Sequence, residues 1–102
     1  MLQTYKIWEG ERTFLPGDDT SKFTIIEITG EELGWFEDMN PDGFSGRTYS
    51  VYRTEEGGII VHVVEQNYGI GEPSRAVIFR FLSLEEAAQS EQRYALEELR
   101  LI

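Results

Sequence analysis

The sequence predicts an α+β domain, an antiparallel sheet of four or five strands with a long C-terminal helix packed on one face. Two observations carry most of this. Arg47–Thr54 and Ile59–Gln66 are rich in β-branched and aromatic residues and flank Glu55-Glu56-Gly57-Gly58, the pattern of a β-hairpin. Ser83-Leu84-Glu85-Glu86 is a capping box, in which the Ser83 hydroxyl accepts from the Glu86 amide and the Glu86 carboxylate returns to the Ser83 amide. A stripe of Leu84, Ala88, Ala95, Leu99 and Ile102 follows, broken by Glu91, and predicts a helix from Leu84 to about Leu101.

The hairpin also predicts a register. A loop of Glu56-Gly57, or of Glu55 to Gly58, pairs Tyr52 with Val61, Val51 with His62 and Tyr49 with Val64. One face then carries Ser50, Tyr52, Thr54, Ile59, Val61 and Val63. The other carries Tyr49, Val51, Arg53, Ile60, His62 and Val64. Both are largely apolar, and a strand pair that is apolar on both faces needs cover on both sides. One helix covers one side. A second copy of the chain is the expected cover for the other, because a two-fold axis lets one patch satisfy itself. A ligand cavity between sheet and helix is the competing explanation.

The remaining elements follow in order. Leu2–Trp8 reads as a strand and Leu15-Pro16-Gly17-Asp18-Asp19 as a break. Phe23–Ile28 is a second strand. Thr29-Gly30-Glu31-Glu32-Leu33 has the form of a helix start, with Leu33, Trp35, Phe36 and Met39 giving a short helix or turn its apolar side. Asn40-Pro41-Asp42-Gly43 ends it. Tyr68 to Ser74 is a loop, and Arg75–Leu82 is a strand with Val77, Phe79 and Phe81 opposite Ile78, Arg80 and Leu82. No repeat or linker divides residues 1–102, so one domain is expected.

Composition narrows the function. Nineteen acidic residues against nine basic ones leave a formal charge of −10. Nucleic acid and anionic membrane are therefore not expected as partners, since both need a clustered positive field. A basic protein partner is compatible with the charge. The chain has no cysteine, which excludes disulfides and thiolate chemistry. No signal peptide or membrane span is evident, so a cytoplasmic protein is expected.

Candidate sites are few. Asp38, Asn40 and Asp42 with Gly43 are spaced like the opening half of a calcium loop. The twelfth position, which should supply a carboxylate, is Tyr49, so an ordinary turn is the preferred reading. His62 is the single histidine and lies mid-strand, with no nucleophile and orienting partner set beside it. Glu27, Glu37 and Glu65 offer carboxylates without a readable separation. Gly69-Ile70-Gly71 lacks the helix that a phosphate loop needs. Trp8, Trp35, Tyr49, Tyr52 and Tyr68 fit core and interface packing better than a binding surface.

Ile28-Thr29-Gly30-Glu31-Glu32-Leu33, then Val51-Tyr52-Arg53-Thr54 before Gly57-Gly58 and Val61-His62, then Leu84-Glu85-Glu86, resemble the core pattern of the bacterial EXLDI proteins. The C-terminal signature of that family is absent, the chain ending Glu98-Leu99-Arg100-Leu101-Ile102. The resemblance implies a bacterial β-sheet domain and transfers no catalytic residue.

These readings converge on a non-catalytic accessory or regulatory module, homodimeric through Tyr49, Val51, Arg53, Ile60, His62 and Val64, with no cofactor and no metal. The alternatives are an acidic inhibitor or antitoxin-like protein that presents its charge to a basic target, and a small-ligand binder or carboxylate-based enzyme with Tyr49, Arg53 and His62 lining a pocket.

Overall fold

Each strand pairs antiparallel with its neighbour in sequence, and the last pairs back to the first. The computed structural model describes residues 2–13, 22–67 and 73–102. Its strands are β1 (Gln3–Arg12), β2 (Lys22–Met39), β3 (Ser45–Thr54), β4 (Ile59–Asn67) and β5 (Ser74–Phe81), followed by two short helices, α1 (Leu84–Ala88) and α2 (Arg93–Glu98). The strands form a closed barrel in the order β1-β2-β3-β4-β5. The closing ladder is brief: Gly10, Glu11 and Arg12 face Ala76, Arg75 and Ser74. The expected break at Leu15–Asp19, and Tyr68 with Gly69-Ile70-Gly71, lie outside the described residues.

The barrel overturns the expected α+β architecture of an open sheet under one long helix. Two local causes explain the difference. The first is at Ser90. Its hydroxyl donates to the Ala87 carbonyl at 2.6 Å and accepts from the Gln92 amide at 3.0 Å, which ends α1 and turns the chain before α2 begins. The predicted helix is therefore two fragments. Only its start matches, with the Glu86 amide donating to Ser83 Oγ at 3.1 Å; the Glu86 carboxylate accepts from Leu82 rather than Ser83.

The second cause is in β2, an 18-residue strand that runs straight through the segment expected to be helical. Its first half pairs with β1 and its second half with β3, and Gly30 faces both Gln3 and Thr54. A side chain at Gly30 would run into the Arg53 carbonyl oxygen, so only glycine lets the strand pass from one pairing to the other. A bulge between Glu32 and Gly34 absorbs one extra residue. Strand pairing of Gly30, Glu31 and Glu32 with Thr54, Arg53 and Tyr52 then outweighs the helix-start pattern at Thr29–Leu33.

The β3–β4 register differs from the predicted one by one residue. Tyr52 faces Ile60, Val51 faces Val61, Ser50 faces His62 and Tyr49 faces Val63. The loop is Glu55-Glu56-Gly57, closed by the Thr54 amide on the Gly58 carbonyl at 2.9 Å, with Gly57 at φ 89°. This is a three-residue hairpin with a glycine in the left-handed region. An odd loop in place of an even one moves every β4 side chain to the opposite face.

Two cores result. Ile7, Ile28, Tyr52 and Ile60 fill the barrel interior, with Tyr5, Ile26 and Ile78 against them. Tyr49, Val51, Ile59, Val61 and Val63 point out of the barrel and are roofed by Ala87, Ala95 and Leu96 from the C-terminal segment. The hairpin is indeed apolar on both faces, but its own chain supplies both covers. The need for a second copy to shelter it is gone.

Candidate functional site: the barrel mouth

The six residues expected to share one face divide between the two cores. Tyr49 and Val51 lie beneath the helices, and Ile60 lies inside the barrel. His62 and Val64, two and four residues on from Ile60 along β4, share its inward face. Arg53 is exposed near the hairpin turn. No single pocket of Tyr49, Arg53 and His62 is formed.

His62 serves the barrel closure. β5 meets β1 only from Gly10 onward, which leaves the Trp8 carbonyl without a strand partner there. His62 Nε2 reaches it across the interior at 2.7 Å. A carbonyl only accepts, so the neutral ring carries its proton on Nε2. The imidazole also meets the Trp8 indole edge-on, with centroids 6.5 Å apart. Burial pushes the His62 pKa below its ordinary 6.5, against the opposing pull of the Trp8 carbonyl and Glu9.

The calcium-like turn holds itself together. Asp42 Oδ1 accepts from the amides of Phe44 at 2.8 Å and Ser45 at 3.1 Å, and Asn40 Nδ2 donates to Ser45 Oγ at 2.8 Å. The bonds from the Phe44 amide and from Ser45 hold the Asp42 carboxyl below its usual range. Asp38 turns away and accepts from the Tyr94 hydroxyl at 3.0 Å. Among the described residues no group of three metal-ligating side chains converges. Of the expected carboxylates, Glu27 pairs with Lys6 and Glu65 with Arg47, while Glu37 projects from β2 into solvent.

Among the described residues three concavities stand out, and the third, of about 430 Å³, adjoins the first and shares Arg47, Tyr49, Glu65 and Arg75 with it. A polar groove of about 720 Å³ on the outside of the barrel is lined by Arg47, Tyr49, Glu65 and Arg75 among others. Its cations are already matched, Arg47 to Glu65 at 3.3 Å and Arg75 to Glu11 at 3.1 Å, and its Asp38 accepts from the Tyr94 hydroxyl. A neutralised, self-paired groove offers little to a charged ligand.

The barrel mouth differs. It is a cleft of about 630 Å³ at the hairpin-turn end, lined by Ile26, Ile28, Ile60 and Phe81 below and by Glu27, Glu55, Glu56 and Glu86 at the rim. Ile26, Ile28 and Ile60 from the barrel interior and Phe81 from the outer core thus form its apolar floor. Arg80 also lines the cleft and makes no ion pair among the described residues. Leu82 beside it is 86% exposed.

No family model, curated protein or solved structure matches this chain.

The geometry of the mouth is therefore what bears on function. Arg80 and Leu82 had a signal in the sequence: a charge at the end of the inward set Ile78, Arg80, Leu82 marks where the barrel interior meets water. Ile26 and Ile28 had none, because an apolar floor reads like any core. His62 lines neither the mouth nor the groove.

Proposed function

We propose that the chain is a non-catalytic binding module for a basic partner, and that the barrel mouth receives an apolar side chain of that partner flanked by cationic groups. The observation that carries this reading is the pairing of an apolar cleft floor, half-buried at Ile26 and Phe81, with a rim of four carboxylates and one arginine. The chain's charge of −10 supports it by steering a cationic partner toward the surface. The sheltered hairpin faces remove the reason for the homodimer and leave the acidic, partner-directed alternative as the stronger reading.

The test is titration of the protein with a short peptide that alternates lysine and leucine. Binding weakens steeply as salt rises from about 0.02 M to about 0.5 M, because exposed charges are screened over that range. Glu55→Gln with Glu56→Gln weakens it further. Arg80→Gln strengthens it by removing the one like charge among the described residues of the cleft. Binding that ignores both salt and these substitutions rejects the mouth as the site.

A further inference from the structure

Among the described residues the second half of β2 pairs with a strand on one side only. β1 stops pairing with β2 at Gln3 opposite Gly30, whereas β2 continues to Met39 along β3. From Glu31 onward no other described strand lies on its outer side. The hydrogen-bond phase identifies which groups are left over. The Asn40 amide donates to the Ser45 carbonyl at 2.8 Å, and antiparallel pairs bond at alternate positions. Asn40, Asp38 and Phe36 therefore direct their backbone groups to β3, and Met39, Glu37 and Trp35 direct theirs outward. Before the bulge the outward amide is that of Glu32, and it donates to the Tyr5 hydroxyl at 3.3 Å. Tyr5 thus covers the first outward position, and among the described residues no strand pairs with Trp35 to Met39 on that side.

Side chains on this edge carry one sign of charge. Glu31, Glu32, Glu37 and Asp38 line it, all exposed, with Trp35 among them at 55% exposure. Two copies joined edge to edge would bring these carboxylates together, which disfavours a second copy as occupant. An extended segment with lysine or arginine at alternate positions meets the same edge with attraction.

We infer that the Trp35–Met39 edge of β2 is a strand-addition site for a basic, extended segment of a partner protein. Backbone bonds to Trp35, Glu37 and Met39 supply register, Glu37 and Asp38 pair with the cations on the two faces of the added strand, and the Trp35 ring packs against its neighbour. This site is separate from the mouth and stands whether or not the mouth binds.

The experiment uses a peptide of alternating lysine and valine, about nine residues long to match an ordinary strand, with amide exchange followed by NMR. Saturation is expected to slow exchange at Trp35, Glu37 and Met39. Glu37→Pro removes an outward amide that β3 does not use, so the fold persists while affinity falls at least about tenfold, the equivalent of about 1.4 kcal/mol. Glu37→Lys with Asp38→Lys is a second variant that does not touch the backbone; it is expected to lose the basic peptide and gain an acidic one. Three results overturn the inference. One is unchanged affinity in both variants. Another is charge-dependent binding without protection of the three amides. The third is protection that arises without peptide as the solution mass doubles from 11.8 kDa, which assigns the edge to a second copy.

Discussion

His62 Nε2 lies 2.7 Å from the carbonyl oxygen of Trp8, a residue 54 positions earlier in the chain. The bond ties the middle of β4 to a stretch of β1 that β5 does not reach. In the unfolded chain the imidazole titrates near 6.5, and in the fold below it. Between those two values the unfolded state holds more protons, so stability increases with pH. The contribution is complete above about pH 6.5 and is lost as pH falls through the folded value. Urea unfolding at pH 7.5 and at successively lower pH should show the midpoint falling, and His62→Gln should flatten that dependence. A midpoint independent of pH across the window contradicts the assignment.

Leu96 is fully buried where α2 roofs the outer face of the hairpin. Leu96→Ala leaves a cavity over Val51 and Val61, and such losses cost about 2 to 5 kcal/mol. Equilibrium denaturation measures it directly. A cost under about 0.5 kcal/mol, typical of a surface position, would mean that the C-terminal segment does not hold the sheet.

Gly30 and Gly43 separate two kinds of glycine requirement. At Gly30 an added Cβ meets the Arg53 carbonyl oxygen, and the atoms it meets are all backbone of Arg53 and Thr54, which cannot swing aside. Gly30→Ala should destabilise by about 3 kcal/mol or more, the upper range of overpacking. At Gly43, φ is 74° and no atom lies within 4 Å of an added Cβ. Gly43→Ala should cost about 1 kcal/mol through the left-handed backbone alone, and Gly43→Asn less. Thermal melts of the three variants give the ranking.

Ser83 caps α1 through the Glu86 amide at 3.1 Å. Ser83→Ala should cost about 1 kcal/mol, and Ser83→Asp should retain most of the stability. Comparing the two by urea titration distinguishes a cap from simple packing of the serine.

What was legible in the sequence follows from how local each signal is. The hairpin is encoded by alternation and by Gly57-Gly58, and it formed. Its register was not legible, because Glu55 to Gly58 accommodates loops of two, three or four residues, and a left-handed Gly57 suits the two-residue loop as well as the three-residue one that forms. That one-residue ambiguity put His62 on the wrong face and grouped Tyr49 with it. The helix start at Ser83 was legible for the same local reason. Its break was not, since Ser90 interrupts a good apolar stripe by bonding back to Ala87. The strand through Thr29–Leu33 was masked by a capping pattern that tertiary pairing overrode. Barrel closure had no sequence signal at all; it rests on three residue pairs and one histidine bond.

Those three pairs between Gly10–Arg12 and Ser74–Ala76 also set an order of events. Every other ladder joins strands adjacent in the chain, whereas this one brings together its most distant strands. Closing so long a loop is entropically costly and is rewarded by little new contact. Folding is therefore expected to complete at this junction, and spontaneous opening of the native state to begin there.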